Sequence, residues 1–277
     1  MHDICITMVT TNEAQTVKTC LTSLYEDIKG SNLDIGIVIV DNASTDGIEN
    51  MLKANFPQAR FIRQEKNEGF GKSHNMAMSA VDATYYFVLN PDTTFPKGQG
   101  LLQRLYEFMQ QHPKVGMAGP KIVYPDGSLQ YSCFRFPTFK QPIYSRTKFG
   151  KKGKGKKVAD HFLMKDFDHN KTIPVDWIMG SAMFVRKSAA DSVGMFDDRF
   201  WMYAEDSDWC RRMWEQGRPV YYVHDVYIMH VHGRASAKVP GILNALLKNR
   251  YARVHLISWL KYFWKWRGNH KYYAAKF

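Results

Sequence analysis

The chain has 277 residues, 45% hydrophobic and 14% aromatic, enough for a substantial core in one large or two small α/β units. Its start lacks the pattern of a secretory signal, no run of about 18 apolar residues is present to span a bilayer, and four scattered cysteines without a CxxC pair argue against a thiolate zinc site and a disulfide framework, so the sequence predicts a protein of the reducing cytoplasm with only peripheral membrane contact. The net charge of +12 is uneven: nine Lys or Arg and no acid lie between Asp126 and Asp160, ten and no acid follow Asp225, and these stretches together carry +19, which leaves −7 on the rest.

In chain order, Ile4–Val9 reads as a first strand, followed by a helix from about Glu13 to Tyr25 with Val17, Leu21 and Leu24 at helical spacing. Ile35–Val40 is a buried second strand that runs into the polar turn Asp41–Gly47, which can cap the helix after it. Arg60–Arg63 reads as a third strand, Gly71–Ala80 as a helix, Tyr85–Leu89 as a fourth strand and Gly100–Gln111 as another helix. This alternation is the signature of βα units around a mostly parallel sheet. From Asp126 to Thr172 the pattern dissolves, and Pro137, Pro142 and the lysine run Lys151–Lys157 predict a long mobile loop. Order returns at Val175–Ile178, then a helix over Asp206–Gln216 and strands over Val220–Val223 and Tyr227–Met229. The stretch Gly241–Trp266 is helix-compatible without being cleanly amphipathic, because Arg250, Lys261 and Lys265 share a face with Leu243, Leu247 and Val254.

Open α/β sheets bind ligands beyond the carboxyl ends of their strands. Asp41 stands at one such end and Asn90-Pro91-Asp92 at another. For Asp41 alone a capping role is the plainer reading; two such ends in one sheet shift the balance, and the Asp92 carboxylate at the mouth of the cleft would hold a divalent cation, Mg²⁺ or Mn²⁺, completed by phosphate oxygens. Further on, Glu205-Asp206 follows Phe200-Trp201-Met202-Tyr203. Acids there complement a helix dipole, but bulky neighbours also make the low-dielectric surround that raises a carboxylate toward general-base work. His230 and His232 share one face of a strand, either as metal ligands or as surface polarity, and Arg234 and Ser236 just beyond could neutralise a diphosphate.

Taken together, Ile6–Glu13, Val38–Gly47, Asn67-Glu68-Gly69-Phe70-Gly71 with Asn75, and Phe87–Asp92 resemble the family-two inverting glycosyltransferases of the GT-A fold over roughly residues 3–236. The resemblance implies an α/β fold, a GT-A type single domain whose mostly parallel Rossmann-like central sheet is flanked by helices, with a helical basic C-terminal extension. Its divisions would be 1–238 for the domain (1–125 nucleotide-binding, 126–172 basic mobile loop, 173–238 acceptor and catalytic) and 239–277 for the basic aromatic tail. It further implies that Thr10 and Asp41 hold the nucleoside base, and that Asn67, Gly69, Asn75 and Asn90 line the nucleotide-sugar pocket with Arg234 on the diphosphate. Asp92 and His230 would hold Mn²⁺ or Mg²⁺, and Asp206 would be the catalytic base, with Glu205 and Asp208 as local alternatives. One departure stands out: the family's Asp-x-Asp is Asn90-Pro91-Asp92 here, leaving Asp92 as the motif's one carboxylate.

Within that family the spacing from Val175–Ser181 to Glu205-Asp206, His230 and Ser236 is most similar to bacterial rhamnosyltransferases of surface polysaccharide synthesis, which implies a dTDP-rhamnose donor and a glycan or lipid-diphosphate-linked acceptor. The tail from Lys248, with Trp259, Trp264 and Trp266 among its cations, suits docking on the anionic inner leaflet from the cytoplasmic side; core packing or homodimerisation through those aromatics is the other reading. A nucleic-acid-binding protein would explain the pI near 9.4 but not acids gathered at strand ends, so no nucleic-acid partner is expected. A sugar nucleotidyltransferase would want a Gly-rich basic loop near the N-terminus, and Val9–Glu13 has neither Gly nor Lys.

Overall fold

Apolar runs too continuous for a one-sided sheet open the chain, and they form strands buried on both faces. In the computed structural model, which describes residues 1–139, 141, 144, 152–231, 247–269 and 271–274, the first four strands and three helices alternate. They are β1 (His2–Thr10), α1 (Ala14–Ile28), β2 (Ile35–Asn42), α2 (Ile48–Asn55), β3 (Arg60–Gln64), α3 (Phe70–Ser79) and β4 (Ala83–Leu89). All four strands are parallel, in the order β3-β2-β1-β4. The chain leaves β1 for β2 on one side and reaches β4 on the other, so β1 is the switch point where such sheets open a crevice.

The sheet continues without a break into the second half. After β5 (Thr93–Thr94) and α4 (Leu101–Gln111) come β6 (Met117–Val123), β7 (Leu129–Gln130), β8 (Cys133–Phe134), α5 (Gly153–Phe162), β9 (Ile173–Pro174), β10 (Trp177–Ile178) and β11 (Ala182–Arg186). The remaining elements are α6 (Lys187–Val193), α7 (Glu205–Glu215), β12 (Val220–His230) and α8 (Arg250–Lys265). Strand β11 runs antiparallel between β4 and β6 and joins the halves in the order β3-β2-β1-β4-β11-β6-β12-β5. Alternation sends Ile4, Ile6 and Met8 to the face covered by α1 and α4, while Cys5, Val38, Val40 and Val88 meet α3 and α7 on the other.

Three sequence expectations are corrected. The segment 126–172 is not one long loop: among its described residues are β7, β8 and α5, and Arg135 forms a two-pronged pair with Asp166 at 2.9 and 2.8 Å. The two short strands after α7 are one strand, β12, whose pairing with β6 slips between Val223 and Tyr227. That bulge lies opposite Pro120, which has no N–H to give the ladder. The C-terminal helix, finally, does not leave all of the tail's cations for docking: Lys265 turns inward to Asp197, and the helix is capped by Asn249, whose Oδ1 accepts from the amides of Tyr251 and Ala252 at 2.9 and 3.3 Å.

Candidate active site

The carboxyl ends of β1, β2 and β4 gather the first group of expected residues. Thr10 and Asp41 are partners in the β1–β2 register, and both are fully buried. Asp41 does not cap α2, which starts after Gly47; its carboxylate closes its own turn by accepting from the Ser44 amide, 3.3 Å to Oδ1 and 3.1 Å to Oδ2, and from Arg63 Nη1 at 3.1 Å. The hydroxyl of Thr10 is buried with no protein partner. Asn67 donates from Nδ2 to Thr11 Oγ1 at 3.3 Å and accepts at Oδ1 from the Gly69 amide at 2.9 Å, so it folds the loop before α3 over the end of β1. Gly69 has a φ of +91°, and a Cβ there would lie 2.2 Å from the carbonyl oxygen of Trp201. Only glycine permits that contact, which brings the second half against the first.

Asn75, expected in the nucleotide-sugar pocket, has its amide engaged elsewhere. It donates to Phe196 O at 2.8 Å and Asp198 Oδ1 at 3.0 Å and accepts from the Phe196 amide at 3.0 Å, clamping the 196–198 segment to α3.

Asp92 and His230 meet because β5 pairs with the end of β12, His230 opposite Thr93. His230 Nε2 lies 3.1 Å from Asp92 Oδ1, and Nδ1 is 2.6 Å from Gln130 Oε1 on β7. Nδ1–H donates to Gln130, and Nε2 is thereby aimed at the Asp92 carboxylate. Glu13, at the start of α1, has its carboxyl raised by partial burial and by the nearby charge of Asp92. Among the described residues no three His, Cys, Asp or Glu side chains form a cation cage.

Asp206 sits in the first turn of α7. Its Oδ2 accepts from the Gly180 amide at 3.1 Å and Oδ1 from the Ser207 amide at 2.8 Å. Burial pushes it up to about 6 against the pull of those amides, although its surface is still partly open to solvent. Glu205, more deeply buried, is raised well above the usual carboxylate range by burial and by the charges of Asp206 and Asp208. The turn that holds Asp206 also reaches the loop that bears Asp92: the Asn90 amide donates to Ser181 O at 3.0 Å. Asp206 and Asn90-Pro91-Asp92 are therefore the two ends of one link through Gly180-Ser181. Two consecutive left-handed residues, Tyr203 (φ 71°) and Ala204 (φ 68°), precede α7, and such strain persists only where its surroundings enforce it.

The carboxylate of Asp208, the other local alternative, is engaged within the protein. It is fully buried and saturated by Arg212 Nε at 2.9 Å, Lys265 Nζ at 2.7 Å and Trp266 Nε1 at 2.8 Å. Sequence reasoning missed Gln130, Arg63, Trp201 and Lys265; only Trp201, within the aromatic run before Glu205, carried a signal. Arg234, with His232 and Ser236, lies outside the described residues.

Comparison with known proteins gives this geometry its family. Residues 5–173 match the profile of Glycosyl transferase family 2. The chain belongs to that family. Thr10, Asp41, Asn67, Gly69 and Asp92 all lie inside the matched region. The chain is 27% identical, over 74% of its length and 69% of the relative's, to the N-acetylglucosaminyl-diphospho-decaprenol L-rhamnosyltransferase of Mycobacterium tuberculosis. It is 24% identical to the dTDP-rhamnosyl transferase RfbF of Shigella flexneri, over 80% of this chain and 68% of that one. It is 28% identical to the rhamnosyltransferase WbbL of Escherichia coli K12, over 58% and 60%. Among solved structures, S. aureus TarS residues 1–349 superpose with a TM-score of 0.56 at 15% identity, covering 97% of this chain and 73% of that one. The mannosyltransferase PcManGT of Pyrobaculum calidifontis, in complex with GDP-Man and Mn²⁺, gives 0.57 at 15% identity, covering 99% and 78%. The expected GT-A architecture and the glycosyltransferase activity both hold.

Proposed function

We propose that this glycosyltransferase is inverting and metal-dependent, and that it moves rhamnose from dTDP-rhamnose to a glycan or lipid-diphosphate-linked acceptor in cell-surface polysaccharide synthesis. The observation that carries the mechanism is the Gly180-Ser181 link, which ties the raised carboxylate of Asp206 to the loop bearing Asp92. The donor reading rests on relatives named rhamnosyltransferases. A lipid-linked acceptor puts the work at the cytoplasmic face of the inner membrane, a reading supported by the decaprenol in the name of the mycobacterial relative.

Asp92 and His230 suit Mn²⁺ or Mg²⁺: one hard carboxylate and one imidazole whose far nitrogen is held by Gln130. When bound, the cation would offset the negative charge that builds on the departing diphosphate. Thr10 and Asp41 would contact the base, Asn67 and Gly69 would line the nucleotide with Asn90, and Arg234 would meet the diphosphate. Asn75 would act on the pocket from behind, through the 196–198 segment that it clamps. Asp206 would draw the proton from the acceptor hydroxyl as that oxygen attacks the anomeric carbon, while the C–O bond to the diphosphate breaks on the opposite side. Glu205, raised by burial and by the charges of Asp206 and Asp208, would share the titration of the base with Asp206.

A thermal-shift screen of UDP-, dTDP- and GDP-sugars with and without Mn²⁺, followed by NMR of the product's anomeric configuration, tests this. Stabilisation by dTDP-rhamnose that needs Mn²⁺, with an inverted product, is expected. Retention of configuration, or stabilisation unchanged by excess EDTA, would overturn it.

A further inference from the structure

The C-terminal helix α8 has two faces with different business. Its inward face is given to the segment that leads into the base. Ser258 Oγ donates to Met202 O at 2.7 Å, Lys261 Nζ to Arg199 O at 2.7 Å, and Lys265 Nζ to Asp197 Oδ2 at 2.7 Å. His255 stacks on Tyr203 with ring centres 4.5 Å apart. Beyond the helix end, Trp266 joins Phe136 and Tyr262 around the buried guanidinium of Arg211, at 4.2 to 5.5 Å.

The outward face is apolar where an ordinary surface helix would be polar. Ile257, Leu260 and Trp264, at positions i, i+3 and i+7, are 51%, 49% and 70% exposed, with Leu256 beside them at 37%. On the same side, Arg253 is exposed one turn before Ile257 and Arg267 lies 4.4 Å over the Trp264 ring, while Arg250 is turned onto Trp201 at 4.8 Å, and no acid follows Asp225 in the chain. A second copy of this helix would bring like charges together. A bilayer with anionic headgroups takes both parts, the apolar ridge at the acyl boundary and the guanidiniums at the phosphates.

We propose that the ridge Ile257–Leu260–Trp264 of α8 is the surface that docks on an anionic bilayer, and that the docking helix is the same one that shapes the base loop. This rests on the glycosyltransferase reading only for its consequence: one helix diameter, ~10 Å, separates the lipid-facing ridge from the segment that carries Asp206. The acceptor's hydroxyl would then meet the base close to the headgroups that anchor the acceptor's lipid.

The test is co-sedimentation of the full chain with vesicles of phosphatidylcholine alone or mixed with phosphatidylglycerol. Binding to the mixed vesicles and not to the neutral ones is expected, with at least a tenfold loss in I257S/L260S/W264S. Trp264→Ser alone, which removes the most exposed side chain, should show a smaller loss with the thermal midpoint kept. Stabilisation by nucleotide-sugar is read in the same samples, so a failed donor reading is seen separately from failed docking. Equal binding to both vesicle types would overturn the proposal, as would a triple variant, folded by circular dichroism, that sediments like the wild type. A dimer dispersed by the triple variant, without vesicle binding, would overturn it in favour of a second copy.

Discussion

Asp92 and Asp206 stand at the two ends of one short link, yet they are held by different means. Asp92 is fixed by strand register: β5 pairs with β12, and His230 and Gln130 arrive on strands of the same sheet. Asp206 follows a backbone in left-handed conformation at Tyr203 and Ala204, and the contacts that enforce it come from residues 255–266. The Asp92 end, proposed to hold the donor, is thus a product of the sheet, and the Asp206 end, proposed as the base, depends on a helix more than forty residues further along the chain. Damage to the C-terminal helix should therefore cost turnover while donor binding survives.

The sharpest division of the two ends is Asp206→Asn. Turnover should fall by about 10² to 10⁴, the usual cost of losing a general base, with nucleotide-sugar stabilisation near normal; an active Asn variant would break the assignment. Next is Lys265→Met, which leaves buried Asp208 with one cation fewer. It should destabilise the protein by ~3 kcal/mol in chemical denaturation and lower kcat more than it raises the donor KM. A loss confined to donor KM would show that α8 serves the other end. Gln130→Leu frees the far nitrogen of His230, and Mn²⁺ titration should read about 10- to 100-fold weaker affinity with the base's pH profile unmoved.

The smallest effect is the pH profile itself. Burial raises Asp206 from 3.8 to about 6, and the base works only without its proton, so kcat/KM should fall as pH drops through about 6. The limb belongs to the Glu205–Asp206 pair jointly. A profile flat down to the ordinary carboxylate range would contradict the burial described for α7. Acid should also loosen the α8 clamp, at lower pH. Burial pushes Asp197 up, but hydrogen bonds from Lys265 and Arg199 outweigh it and hold the carboxyl at about 2. Its contribution is complete above 3.8 and fades as pH falls toward 2.

The same contrast governs what the sequence makes legible. The first half reads clearly because unbroken apolar strands and polar strand ends are local signals, and Asp41 and Asp92 fall where strand-end reasoning puts them, while Thr10 comes from the family resemblance. Strand β6 is hidden because Gly119, Pro120 and Lys121 are poor strand formers. Gly119 is there because a Cβ would lie 2.8 Å from Ile178 Cδ1, and Pro120 is tolerated opposite the β12 bulge. Helix α5 is masked by its glycines and lysines. The clamp of Lys265 on Asp197 and Asp208 leaves no trace in local pattern, since nothing in the spacing of those residues announces their contact. The His230–Asp92 pairing needed the family resemblance, because a histidine ending a strand is as often plain surface.

Gly69 packs its bare α-carbon against the backbone of Trp201, with no room for even a methyl group. The gap between the two halves is therefore set by a contact of main chain on main chain, which side-chain repacking cannot retune. Anyone grafting the first half of one relative onto the second half of another would have to carry the residue-69 loop and the residue-201 loop as a matched set, or the graft would misalign before any sugar-specific residue mattered.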